Sequence, residues 1–212
     1  MSEITSLADI TRVHAESQPD KVAMIFEGRE WTYGDLDRES NQVANALLAA
    51  GVGPQDRVEH LDKNGPEYFS YLFGASKINA VGVAVNWRLA APEMEYILNH
   101  SEAKVLLIGQ EFLAHLDEMN LETVTKVVVV GEGGDRDSYV AWIDSAASDD
   151  PQVEVGWTDT CYQLYTSGTT GLPKGVELTN RNFFSFLPEA SREWSFNKSS
   201  VNLVAMPLFH IA

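Results

Sequence analysis

Cysteine is almost missing from this sequence: Cys161 stands alone in 212 residues. A lone thiol cannot close an intrachain disulfide, so a reducing, cytoplasmic compartment is the expectation. Cys161 itself reads as a small apolar filler at the start of a strand. Basic residues are also scarce, 15 Lys and Arg against 31 Asp and Glu, for a formal net charge of −16. That balance excludes a broad basic face for nucleic acid and weighs against an anionic lipid surface as partner. A small anionic ligand stays open, because it needs only a local group of donors. Long apolar runs are lacking too. Residues 127–130, VVVV, are of strand length, against the roughly 20 residues a helix needs to cross a bilayer, so no membrane span is expected. The opening MSEITSLADI has no basic start followed by an apolar block, and no secretory signal is read there.

What is present is an ordinary globular composition, 44% hydrophobic and 22% charged, in a chain long enough for one sizeable domain. Strands and helices alternate along it. Ser6 with Asp9 forms a capping-box start for a short helix before Pro19. VAMIF (22–26) reads as a strand turning through EG into WTY. Leu36, Val43, Ala46, Leu47 and Ala50 then share a helical face, with Gly51 placed as a C-terminal glycine. A strand around RVEHL precedes a helix that Asn64 opens, with Pro66 in its first turn and Phe69, Leu72, Phe73 and Ser76 facing inward. AVGVAV (80–85) is apolar on both faces, as a buried parallel strand is. A helix begun at Pro92, a strand KVLLI, a helix over 112–119 and a strand KVVVV follow. Residues 144–159 read as an acidic surface loop, and VNLVAMPLFHIA (201–212) as a last strand. The fold class expected is α/β, a parallel sheet flanked by helices.

One stretch is poor in packing atoms and rich in donors: LYTSGTTGLPKGVELT, residues 164–179. Tyr162, Leu164 and Thr166 alternate before it as a strand does; GVEL reads as a second strand, and Thr179 as the N-cap of a helix. The loop therefore joins strand to strand. A Walker loop runs straight from strand into helix, and here the spacing fails as well, with Pro173 where its second glycine belongs. A G-x-G dinucleotide fingerprint is likewise missing. The chemistry still points to phosphate. Gly168 and Gly171 let the backbone turn its N–H groups onto an anion, Ser167, Thr169 and Thr170 add rotatable donors, and Lys174 adds a compact charge behind the stiff Pro173.

The string YTSGTTGLPKGV resembles the phosphate-loop signature of the AMP-forming adenylating enzymes, which include acyl-CoA synthetases, firefly luciferase and peptide-synthetase adenylation domains. WTYGDL (31–36), the stretch GASKINAVGVAVNWRLAAPEMEYIL and MPLFHIA (206–212) resemble further segments of that family, so the likeness runs along the whole chain. Two departures stand out. Glu59, His60 and Asp62 put charge where the family has an apolar strand, and Asn180 stands where a His is common.

The resemblance implies a carboxylic acid activated by ATP as an acyl-adenylate and then passed to a thiol, usually that of coenzyme A. A fatty acid is the substrate expected, with an aryl or short acid left open. The loop, Thr166, Ser167, Gly168, Thr169, Thr170, Gly171 and Lys174, would hold the phosphates of ATP. Thr166 would sit near Mg2+, and His210 beside the acyl carboxylate. Such enzymes are about twice as long, so residues 1–212 are expected to be the N-terminal portion of an AMP-binding domain. The rest of that domain and a small C-terminal domain would follow. As a piece, the chain would be inactive alone and inclined to self-associate. A non-catalytic nucleotide-binding or interaction module is the alternative.

Overall fold

The computed structural model describes residues 4–166 and 171–210. Helix α1 (Leu7–Ser17) starts at a full capping box, in which Ser6 accepts from the Asp9 N–H and Asp9 accepts from the Ser6 N–H. Strands β1 (Val22–Phe26) and β2 (Arg29–Thr32) form a separate hairpin. Helix α2 (Tyr33–Ala49) ends as the sequence predicts. Gly51 turns to φ +83°, and the Gly51 and Val52 N–H groups donate to Leu48 and Leu47, a paired helix stop.

The main sheet is built from β3 (Arg57–Leu61), β4 (Val81–Ala84), β5 (Ala103–Gly109), β6 (Lys126–Val130), β7 (Asp137–Ser138), β8 (Thr160–Thr166) and β9 (Lys174–Thr179). In space the order is β7-β6-β5-β3-β4-β8-β9, parallel throughout except for the antiparallel edge strand β9. Its helices are α3 (Pro66–Lys77), α4 (Ala91–His100), α5 (Tyr139–Asp144) and α6 (Asn180–Glu193).

Both faces of the sheet are covered, which is why β4, β5 and β6 read as largely apolar runs, while the central β3 carries Glu59 and His60 inside. On β5, Val105 and Leu107 join the cluster formed with α1, α2, α3 and α5. Leu106 and Ile108 join the opposite cluster with Met94, Ile97 and Leu98 of α4. Cys161 is buried, and burial pushes its thiol up to about 12, so it packs as the inert filler expected. No helix among the described residues is long and apolar enough to cross a membrane.

Four expectations are corrected. The N-cap of α3 is Gly65, because the Asn64 side chain is engaged elsewhere. That helix is buried nearly all round, through Tyr68, Tyr71 and Ala75, while Phe69 and Leu72 are only half-buried. Residues 110–118 wind as a 3-10 helix, not an α-helix. No strand forms among the described residues 201–210, where Val201 and Leu203 are 94% and 87% exposed. An extended segment needs a neighbouring ladder to become a strand, and none lies beside it.

Candidate functional site

Along the sheet, β4 connects onward past β3 to β5, while its neighbour β8 turns the other way to β9. The carboxyl ends of two such strands are where open α/β sheets form ligand crevices. The glycine–hydroxyl loop leaves β8 at this point. Thr166 and Lys174 face each other as the last pair of the antiparallel β8–β9 ladder, so strand is followed by strand, as the strand-to-strand reading requires.

Ser167, Gly168, Thr169 and Thr170 lie outside the described residues. Thr166 is exposed at the strand end. Gly171 holds φ +125°, a conformation that side chains rarely adopt, and a Cβ there would meet nothing within 4 Å. A residue whose backbone demands glycine while the space around it stays open suits close approach by a ligand. Lys174 is exposed and makes no ion pair among the described residues, so its charge is uncommitted. An opening of about 490 Å3 bordered by Tyr96, His100, Leu172, Pro173, Lys174 and Gly175 adjoins the loop's exit. A polar hollow of about 470 Å3 lies on the α4 face of the sheet, with Arg57, Ser101, Gln163 and Glu177 among its walls.

His210 arrives at the same edge of the sheet by a different route. Asn64, just beyond β3, donates to the Met206 carbonyl and accepts from the Leu208 N–H, each at 2.9 Å, in the manner of a strand neighbour. The Tyr68 and Tyr162 hydroxyls lie 3.0 and 3.3 Å from the Leu208 carbonyl and are hydrogen-bonded to each other. Phe209 packs edge-on against Trp87, and the Arg88 guanidinium lies over both rings. The His210 N–H closes a turn onto Pro207, and its side chain is exposed. Sequence reasoning named His210 but missed the Asn64–Tyr68–Tyr162 anchor, whose members lie 46 to 144 residues from the segment they hold.

The charged residues of β3 split by face. Glu59 is fully buried toward α4, its Oε1 2.6 Å from the Ser101 hydroxyl, and burial pushes its carboxyl up to about 8. His60 lies on the other face between Tyr68 and Tyr71, and burial lowers it to about 3, so its ring is neutral. Asp62, at the strand's end, is pushed up to about 6, again chiefly by burial. Asn180 is buried too. It accepts from the Leu7 N–H and donates to the Gly156 carbonyl, tying α1 to the turn before β8. The departures from the family pattern therefore serve packing.

Comparison with known proteins agrees with this geometry. The family model described as AMP-binding enzyme matches residues 11–212. The fatty acid–[acyl-carrier-protein] ligase ScoC of Streptomyces coeruleorubidus is 40% identical over 99% of this chain and 40% of its own length. The long-chain-fatty-acid–CoA ligase FadD13 of Mycobacterium tuberculosis is 35% identical, over 85% of this chain and 36% of its own length. Among solved structures, the anthranilate CoA ligase AuaEII in complex with anthranoyl-AMP superimposes with a TM-score of 0.80 at 32% identity, covering 89% of this chain and 36% of that one. The chain thus spans about two fifths of the length of the curated relatives it matches.

Proposed function

The chain belongs to the AMP-binding enzyme family, and from that premise we propose that it is the phosphate-gripping part of an ATP-dependent ligase that makes thioesters through an acyl-adenylate. The observation that carries the reading is the pair Thr166 and Lys174 closing the β8–β9 ladder at the carboxyl edge of the sheet, with Gly171 at φ +125° and a lysine that has no ion pair among the described residues. In the reaction a carboxylate oxygen bonds to the α-phosphorus of ATP and the bond to the bridging oxygen of pyrophosphate breaks. Two anions must meet, so catalysis is a matter of positioning and charge neutralisation.

The N–H groups and hydroxyls of Thr166, Ser167, Gly168, Thr169, Thr170 and Gly171 would grip the β- and γ-phosphates, and Lys174 would neutralise charge developing on departing pyrophosphate. Thr166 would help to hold Mg2+, since its hydroxyl oxygen is the kind of ligand a hard cation takes. When bound, the ion supplies positive charge to the phosphate oxygens. His210, on the segment anchored by Asn64, would border the acid's carboxylate.

A fatty acid is the proposed substrate, supported by the names of ScoC and FadD13, while AuaEII acts on an aryl acid. Coenzyme A is the proposed thiol. The likeness to ScoC, which spans nearly the whole chain, favours a second reading in which the thiol is that of an acyl carrier protein. Mass spectrometry of the thioester formed with each acceptor separates the two. The proposed site of action is the cytoplasm.

Acid-dependent exchange of labelled pyrophosphate into ATP tests the ligase reading. The 212-residue chain should show none, acting as a binding module without catalysis, and a longer product of the same reading frame should show exchange. An inert longer product refutes the reading.

A further inference from the structure

The loop's two stems are held from outside the hairpin by a single helical turn. Tyr96 and His100 stand four residues apart on α4 and so point the same way, their rings 5.2 Å apart. The Tyr96 hydroxyl donates to the carbonyl of Pro173, the residue before Lys174, at 3.3 Å. Nδ1 of His100 lies 2.8 Å from the hydroxyl of Tyr165, the residue before Thr166, and the two rings meet edge to face.

The second link continues into a chain of hydrogen bonds across the sheet. Arg57 can only donate, so its Nε–H, 3.2 Å away, fixes the Gln163 Oε1 as acceptor and leaves the Gln163 amide nitrogen to donate to Tyr165, at 3.1 Å. With Gln163 as donor to it, the Tyr165 hydroxyl keeps its own proton for His100 Nδ1 in the tautomer that carries its hydrogen on Nε2. The chain Arg57 → Gln163 → Tyr165 → His100 is satisfied at every joint. At the root of the same helix, Ser101 bonds to buried Glu59, fixing α4 to the centre of the sheet.

We propose that Tyr96 and His100 are positioning residues for the phosphate loop: they brace the last ladder pair from the α4 side and set the direction in which Lys174 leaves. The inference rests on the nucleotide reading above and deepens it by naming what holds the loop in shape. Neither residue need touch the ligand. Side chains that fix Tyr165 and Pro173 in advance lower the entropy cost of binding at the loop's ends.

The test uses the 212-residue chain with magnesium tripolyphosphate as probe, its binding followed by phosphorus NMR, and hydrogen exchange of the amides at 171–176. The variants are Tyr96→Phe, His100→Leu, their combination, and His100→Asn, whose side-chain oxygen can replace Nδ1 as acceptor. Expected for the double variant are affinity lower by about tenfold, a few-fold per hydrogen bond lost, and faster exchange at 171–176. Exchange in β4 and β5 should stay as in the wild type, and His100→Asn should restore most of the loss. Tyr96→Phe removes a single hydroxyl and keeps the ring, so it reads the clamp even if the double variant folds poorly. Unchanged affinity in Tyr96→Phe and His100→Leu overturns the proposal, whatever the exchange shows. A wild-type chain that binds no tripolyphosphate refutes the nucleotide reading instead, and the exchange data then still decide whether the clamp exists.

Discussion

Replacing Glu59 with Gln should make the protein more stable at neutral and alkaline pH, and the hydrogen bonds around Glu59 say why. The Ser101 hydroxyl has one proton and two acceptors in reach, Glu59 Oε1 at 2.6 Å and the Leu98 carbonyl at 3.0 Å. If Glu59 is ionised, one of the two goes without, and its Oε2, buried with no partner, carries charge. If Glu59 is a neutral acid, it donates to Ser101, Ser101 donates to Leu98, and only a neutral carbonyl oxygen is left over. Burial drives the group the same way, to about 8 from an ordinary 4.5. Because the folded value is the higher one, stability is fully present below pH 4.5 and is lost as pH rises toward 8. At pH 7 that loss is about 3 kcal/mol, from a gap of about 2.5 units at 1.36 kcal/mol each. Gln keeps the donor to Ser101 and leaves one amide proton unpaired, at a cost of about 1 kcal/mol. The net gain at pH 7 is therefore about 2 kcal/mol, or roughly 4–8 °C in Tm for a chain of this size. Urea denaturation of wild type and Glu59→Gln from pH 5 to 9 gives the difference curve, in which the titrations of His60 and Asp62 cancel. The variant's advantage should grow through this window and level off above pH 8. A flat difference, or a variant less stable than wild type at pH 8, refutes the account.

The other predictions concern the proposed site and its supports. In a longer product of the same reading frame, if the ligase reading holds, Lys174→Ala should lower pyrophosphate exchange by on the order of 10²-fold, the effect of losing one donor to developing charge; an unchanged rate removes Lys174 from the mechanism. Asn64→Ala removes the side chain that pairs with Met206 and Leu208, so amide exchange at 208–210 should speed up by on the order of tenfold, with β4 unaffected. Equal exchange rates would show that Tyr68 and Tyr162 suffice to hold the segment. The exposed apolar residues Val201, Leu203 and Met206 should make the 212-residue chain self-associate, and light scattering that reports a clean monomer at high concentration would contradict this.

The fold was legible wherever burial imposes a period. β4, β5 and β6 are covered on both faces and so stand out as apolar runs, and α2 repeats Leu36, Val43 and Leu47 along one stripe. Caps were legible because they are local: Ser6, Gly51 and Thr179 act within a few residues of themselves. What failed depended on distant partners. Helix α5 has six residues, too few for a period, and is fixed by α2, where Gln42 donates to the Ile143 carbonyl. Residues 201–206 are apolar enough for a strand but have no ladder beside them. Asn64 looked like a helix cap because an Asn before Pro66 often is one; its amide instead serves backbone 142 and 144 residues away.

The site divides along the same line. Its proposed loop is a contiguous string of glycines and hydroxyls, so Thr166, Gly171 and Lys174 could be named as candidates from the sequence alone. Its supports were not, although Tyr96 and His100 carried a faint signal as a polar pair one turn apart on a helix otherwise directed inward by Met94, Ile97 and Leu98. Alternation along β3 reports that Glu59 and Leu61 share one face and Val58 and His60 the other, because the period is a property of the backbone. It does not report that Ser101 meets Glu59, nor that Arg57 orients Gln163 and through it Tyr165. A hydrogen bond has a direction that both ends decide, and the ends here lie 42 and 106 residues apart. Candidates for gripping a ligand can thus be named from a line of letters, whereas contacts such as Tyr96–Pro173 and His100–Tyr165 become visible only when the sheet brings them together.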